Sequence, residues 1–308
     1  MAVSHELVII GGGPAGLTAG LYAGRARLDV IMLDPTGGGG YLNYTESIEN
    51  YPGFPDGVAG PDLAELLILH ATKFGLKIKT EEVTELVAAE NPKRLKTPSG
   101  ELRAKAVIIT TGSKPMKLGV PGEEEYVGRG VSYCATCDAA FFNDRSVAVV
   151  GGGNAAIDEG LAITRHARKV FVIHRRNTLR AEKVLQERAF ANEKMHFIWN
   201  TVVDRIHGDG KVTGLSIRNI ETGEISELEI DGVFIFIGTR PTTEFLRGAV
   251  KTDERGYIVT GRSLETSVKG VWAAGDVQDP VYRQAITAAG QGAAAAILAE
   301  KYLQQMKW

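Results

Sequence analysis

Leu7-Val8-Ile9-Ile10-Gly11-Gly12-Gly13-Pro14-Ala15-Gly16 is a short, fully apolar run that leads straight into a glycine turn, and Leu17 to Ala23 behind it has helical character. Strand, turn and helix in that order open a dinucleotide-binding unit. The spacing of Gly11, Gly13 and Gly16 permits a tight turn, close approach of a pyrophosphate to the helix N-terminus at Pro14 and Ala15, and close packing of helix on strand. A second apolar strand, Asp29 to Leu33, ends in Asp34. That acidic position is expected to accept hydrogen bonds from an adenosine ribose.

The unit is repeated. Ser146 to Val150 runs into Gly151-Gly152-Gly153-Asn154-Ala155-Ala156 and another helical stretch. An offset of 140 carries Gly11 onto Gly151, Gly13 onto Gly153, Gly16 onto Ala156 and Asp34 onto His174. Where the first unit has an acid, the second has His174-Arg175-Arg176 followed by Arg180. Basic groups at this position favour a 2′-phosphate, so the second unit is expected to prefer NADPH to NADH. Their bland alternative is a solvated strand end. Each unit also has a closing apolar strand, Ala106 to Ile109 before Thr110-Thr111-Gly112 and Val233 to Ile237 before Gly238.

The chain holds two cysteines, both in Ser132-Tyr133-Cys134-Ala135-Thr136-Cys137-Asp138. A CxxC pair closes a very short loop, so its disulfide opens and forms readily. Zinc would need two further ligands, and the six histidines lie singly, none at finger-like spacing from Cys134 or Cys137, so no metal is expected. Two small buried hydrophobes are the structural alternative.

A length of 308 residues suits about two domains. With 35 basic against 37 acidic residues, no field is available to hold nucleic acid or an anionic membrane. The first residues lack a basic segment followed by an apolar one, and no apolar run reaches membrane-spanning length, so a cytoplasmic protein is expected. Thr36 to Pro61 reads as a long ordered loop, Asp62 to Phe74 and Thr178 to Asn192 as helices, and Met195 to Ile206 and Val212 to Glu229 as strands. The segment after about residue 245 is too small to stand alone and should return to the first domain. It holds a strand ending in Gly275-Asp276 and a helix opening at Arg283-Gln284-Ala285, whose N-terminus can supply donors to an electron-rich group. The expected fold is α/β: two Rossmann-like three-layer ββα dinucleotide-binding domains, the second inserted in the first, over 1–115 with 246–308, and over 116–245.

Together these motifs resemble the low-molecular-weight thioredoxin reductases of bacteria and archaea over nearly the whole chain. The resemblance rests on Gly11 to Gly16, Glu49 to Gly53, Thr111-Gly112-Ser113, Cys134-Ala135-Thr136-Cys137-Asp138, Gly151 to Ala156, His174 to Arg176 with Arg180, Ala274-Gly275-Asp276 and Tyr282-Arg283-Gln284-Ala285. It implies FAD on the first domain, with Gly40, Tyr41, Leu42, Asn50, Thr111, Gly112, Gly275, Asp276, Arg283, Gln284 and Ala285 in contact. It implies NADPH on the second, with Asn154, Ala155, Ile237 and Gly238 added to the glycines and basic residues above. It further implies a homodimer, a thioredoxin-like partner, and a domain rotation that presents the flavin to NADPH and to the disulfide in turn. Cys137 would face the flavin, Cys134 would attack thioredoxin, and Asp138 would protonate the departing thiolate, unless it merely caps a helix. Asp276 has a satisfied loop carboxylate as its alternative.

Two features depart from the family pattern. Gly39-Gly40-Tyr41-Leu42 stands where the family commonly has Gly-Gly-Gln-Leu, and the chain ends in Trp308. Both raise ferredoxin-fed or NADPH-independent relatives as an alternative, since some of these place aromatics over the flavin. A dithiol oxidase on the same scaffold would not need the basic set. A non-enzymatic flavin sensor would not need the cysteines.

Overall fold

Alternate residues of the central strands pack on opposite faces of their sheets. The computed structural model describes residues 3–45 and 48–306, and the side chains of all of these except Val3, Thr136 and Cys137. The C-terminal Trp308 therefore lies outside the described residues. The chain divides into two compact units, one formed by residues 1–114 and 240–308 and the other by residues 115–239, so the second interrupts the first.

In the first unit the sheet order is Lys77–Thr80, Val30–Asp34, Val3–Ile10, Gly100–Ile109, Lys93–Thr97, Glu85–Val87, and Val271–Ala273 also pairs with Gly100–Ile109. The pairs around Val3–Ile10 are parallel, whereas Glu85–Val87, Lys93–Thr97 and Gly100–Ile109 form an antiparallel meander. Leu7, Ile9, Met32, Ile108 and Trp272 pack under the helices Pro14–Arg25 and Ala285–Gln305. The alternate residues Val8, Ile10, Ile31, Val107 and Ile109 pack on the opposite face with Leu86, Leu95, Val250 and Ile258. Both faces are covered, which is why Leu7 to Ile10 is apolar without interruption. The late strand Val271–Ala273, in register with Val107 to Ile109, brings the C-terminal segment back to this sheet.

The second unit repeats the plan. Its parallel sheet runs Met195–Ile198, Lys169–Ile173, Ser146–Val150, Gly232–Ile235, Val131–Ser132, beside an antiparallel sheet of Thr201–Gly208, Val212–Asn219 and Ile225–Glu229. Val147 and Val149 face the helix Asn154–Ile163, while Ala148 and Val150 face Val203, Ile206 and Leu215 of the meander. The offset of 140 holds to the residue: Ile10 pairs with Leu33, and Val150 with Ile173. One expected element is shorter. The helix begins at Lys183 rather than near Thr178, because the Arg180 N–H donates to the Gly152 carbonyl (2.7 Å) and holds the preceding residues as a loop.

Close helix contact in the first unit depends on a glycine. A Cβ added at Gly292 would fall on the carbonyl oxygen of Ala15, whereas one at Gly290 would meet nothing within 4 Å. Gly292→Ala is therefore expected to cost about 2–3 kcal/mol by forcing the helices apart. Gly290→Ala, in the same helix, should stabilise by about 0.5–1 kcal/mol. Urea unfolding of both variants checks the opposite signs.

Candidate functional site

Each unit forms a glycine cradle at the C-terminal end of its first strand. In the first, the Gly11 N–H donates to the Leu33 carbonyl (2.8 Å), and the Leu17 N–H to the Gly13 carbonyl (3.0 Å). In the second, Gly151 donates to Ile173 (3.1 Å), and Ile157 to Gly153 (3.2 Å). Gly11 and Gly151 have φ of +101° and +149°, and a Cβ on either would strike the carbonyl oxygen of the closing strand's end, at Thr110 or Phe236. A Cβ on Gly16 would strike Gly11. At Gly13 and at Gly153, by contrast, an added Cβ meets nothing within 4 Å. The chain itself thus excludes side chains at the turn and leaves open space at the third glycine. The helices Pro14–Arg25 and Asn154–Ile163 begin beside these openings with no side-chain cap on their N-termini.

The strand-end residues support the middle glycine of each cradle. Asp34 is 7 % exposed; its Oδ2 accepts from the Gly12 N–H (2.7 Å), and its Oδ1 from the Thr36 N–H (2.8 Å), the Thr36 hydroxyl (2.6 Å) and the Gly38 N–H (3.2 Å). Three of these donors lie on Oδ1, so Oδ2, which takes the Gly12 N–H alone, keeps a lone pair able to accept from a ribose hydroxyl. At the equivalent position the His174 ring lies under Gly152, where a Cβ would strike it. Only 4 % exposed, it donates from Nε2 to the Thr178 carbonyl (3.1 Å). Burial, and beyond it the neighbouring Arg180, Arg176 and Arg175, hold its pKa below the ordinary histidine value. Its ring is thus turned inward beneath Gly152, away from the exposed side of the strand end. Arg175, Arg176 and Arg180 are exposed. Asn154 is also committed to the chain, donating to Glu182 Oε1 and accepting from the Glu182 N–H (both 2.8 Å).

Around the first cradle, Gly40 packs against Gly13, Leu42 is buried with Ile48 and Leu63, and Asn50 Nδ2 donates to Gln284 Oε1 (3.1 Å). Thr111 donates its hydroxyl to the Thr242 carbonyl (2.7 Å). Tyr41 is 42 % exposed, edge-on to Tyr44, and its phenol is pushed up by burial, by Asp276 and by Tyr44. Asp276 is itself raised, to about 6, by burial, with Arg283 opposing and Asp279 adding to the shift. Sequence reasoning missed Asp279 and Gln291. Asp279 accepts from the Val281 and Tyr282 N–H groups (2.9 Å each) and from Gln291 Nε2 (3.2 Å), while Gln291 Oε1 accepts from the Gly275 N–H (2.7 Å). They shape the loop that presents Asp276 and Arg283. The sequence signal for this turn was Asp279-Pro280.

In the second unit Cys134 is disulfide-bonded, just ahead of the short helix Ala135–Asp138. Asp138 makes no side-chain cap to the turn Ala139–Phe142 that follows it. Among the described residues no group of three or more His, Cys, Asp or Glu is placed to hold a metal ion, and no helix is long and apolar enough to cross a membrane.

The sequence matches the family model described as pyridine nucleotide-disulphide oxidoreductase over residues 5–292. The thioredoxin reductase of Mycolicibacterium smegmatis is 48% identical over 303 residues, covering 98% of this chain and 97% of that protein. That of Streptomyces coelicolor is 46% identical over 307 residues, covering 98% and 95%. The crystal structure of Lactococcus lactis thioredoxin reductase aligns with a TM-score of 0.95 at 40% identity, covering 98% of this chain and 99% of that one. The chain belongs to the pyridine nucleotide-disulphide oxidoreductase family and, within it, to the low-molecular-weight thioredoxin reductases. The open positions at Gly13 and Gly153 fit the dinucleotides this family implies.

The raised Asp276 has a consequence for the flavin-free protein. A carboxyl whose folded pKa, about 6, lies above its unfolded 3.8 costs stability once ionised, so the penalty is absent below about pH 4, grows toward pH 6 and is constant above. Asp276→Asn is expected to stabilise the flavin-free protein at pH 7.5 by on the order of 1–2 kcal/mol, discounted for partial exposure. The gain should vanish near pH 4. Thermal melts across this range check it, and a gain that is the same at both ends would contradict it.

Proposed function

We propose that this protein catalyses reduction of a thioredoxin-like disulfide by NADPH, with FAD on the first unit and NADPH on the second. The Cys134 and Cys137 disulfide relays the electrons, and the second unit rotates against the first between half-reactions. The protein acts in the cytoplasm as a homodimer. The observation that supports this reading is the pairing of two open glycine cradles, one per unit, with a disulfide-bonded Cys134 in the second.

Gly11, Gly13, Pro14, Ala15 and Gly16 receive the FAD pyrophosphate, with Gly40, Tyr41, Leu42, Asn50, Thr111, Gly112, Gly275, Asp276, Arg283, Gln284 and Ala285 around the rest. Asp34 braces Gly12 and accepts from the adenosine ribose. When bound, FAD supplies a two-electron relay between nicotinamide and disulfide. Gly151, Gly153, Ala155 and Ala156 receive the NADPH pyrophosphate, Ile237 and Gly238 line the closing strand's end, and Asn154 braces the cradle through Glu182. Arg175, Arg176 and Arg180 recognise the 2′-phosphate, a task suited to forked, permanently charged guanidinium groups. Cys134 attacks the partner's disulfide, Cys137 closes on Cys134 to release the reduced partner, and Asp138 protonates the departing thiolate. The exposed arginines count against a ferredoxin-fed enzyme or a dithiol oxidase, neither of which needs them.

Cys137→Ser is expected to leave reduction of the flavin by NADPH intact and to lower thioredoxin reduction by at least about a hundredfold. Arg175→Ala combined with Arg176→Ala should raise KM for NADPH by about tenfold or more while leaving that for NADH unchanged. Stopped-flow flavin absorbance and steady-state assays separate the two steps. Thioredoxin turnover retained by Cys137→Ser would refute the relay.

A further inference from the structure

Glu123 is the first of three consecutive glutamates, yet it is only 1 % exposed. Its Oε1 accepts from the Leu118 N–H (2.9 Å) and from the Tyr133 hydroxyl (2.7 Å), and its Oε2 accepts from the Gly119 N–H (2.6 Å). A buried carboxylate is costly unless several donors compensate it, and here three converge. One of them belongs to the residue before Cys134. Burial, then the hydrogen bond to Glu123 and the charges of Glu123 and Glu124, push the Tyr133 phenol well above its ordinary pKa, so it remains a donor.

The neighbouring residues are tied in the same way. Val131 and Ser132 pair in register with Val233 and Phe234 of the parallel sheet. The buried Ser132 hydroxyl accepts from the Cys134 N–H and donates to the Cys134 carbonyl, both at 3.1 Å. Four successive residues are thus held, the first two by the sheet, Tyr133 by Glu123 and Cys134 by Ser132. Neither Glu123 nor Tyr133 is among the residues assigned above to FAD or NADPH.

We propose that Glu123, acting through Tyr133, is a positioning residue for Cys134: it holds the segment before the cysteine pair so that the two sulfurs stay close, and thereby sets how readily the disulfide is reduced. The physical basis is effective concentration. Anchoring one thiol near its partner raises the equilibrium constant for ring closure without adding any contact to the sulfurs. Releasing the anchor frees the reduced, open form more than the closed one, which makes the disulfide easier to reduce.

The inference rests on the reading that Cys134 and Cys137 form the cycling pair, and it is tested on that pair alone. The FAD-loaded protein is equilibrated in dithiothreitol buffers of graded ratio, without NADPH or thioredoxin, and the free thiols are trapped and counted. Dithiothreitol gives up two electrons and two protons as its sulfurs close into a ring, and the protein disulfide opens to two thiols. Tyr133→Phe, which leaves both backbone donors on Glu123, is expected to shift the equilibrium toward the dithiol by about three- to tenfold, a potential less negative by about 14–30 mV at 29.6 mV per tenfold. Glu123→Gln, which cannot serve all three donors, should shift it in the same direction; if it does not fold, Tyr133→Phe decides alone. Tyr126→Phe is the control, because it loses a comparable hydroxyl bond, to the Gly208 carbonyl at 3.0 Å, elsewhere in the same unit. Tyr133→Phe within twofold of wild type, or Tyr126→Phe shifting equally, would overturn the inference. A shift in a protein that failed to reduce thioredoxin would overturn the proposed function and leave this inference standing.

Discussion

The hydrogen bond from the first cradle glycine to the neighbouring strand, Gly11 to Leu33 and Gly151 to Ile173, is the constraint on which the rest of the molecule depends. It turns the chain sharply enough that the next helix starts over the sheet. The cost is that no side chain can be carried at the turn, since the end of the closing strand occupies the space where one would go. Packing on both sheet faces follows from the same geometry, because the chain must cross from sheet to helix within a few residues. The later elements, including the returning strand Val271–Ala273, complete faces that this turn opens.

The two cradles differ in what lies beneath them. A carboxylate under Gly12 accepts the glycine N–H directly, and an imidazole under Gly152 fills the same space by packing. With His174 turned inward and hydrogen-bonded to Thr178, the exposed positive charge of the second cradle falls on Arg175, Arg176 and Arg180. Arginine retains its charge at any physiological pH, so this exposed positive charge persists where a histidine would titrate.

Strands, glycine turns and the duplication were legible because they rest on local rules: apolar runs buried on both faces, glycines at positive φ, and an offset that repeats them. The C-terminal return was legible from domain size. What could not be read was direction. His174 sits in a basic run and points inward because Gly152 has no side chain to keep it out. Glu123 is indistinguishable in sequence from Glu124 and Glu125, yet the turn at Leu118 and Gly119 aims two N–H groups at it alone. The helix expected from Thr178 begins five residues late, since a backbone bond from Arg180 to Gly152 outweighs local propensity. These misses, like those of Asp279 and Gln291, are contacts between residues twelve or more apart, or a choice among like neighbours.

The central claim is that the two open glycine positions are the two nucleotide sites. Anaerobic NADPH titration of wild type and Gly153→Ala, read by flavin absorbance, tests it most directly. Wild type is expected to bleach with about one equivalent, and Gly153→Ala to retain its flavin yet need about tenfold more NADPH, since the added methyl points into the open space at this glycine. Unchanged bleaching in Gly153→Ala, or loss of its flavin, would contradict it.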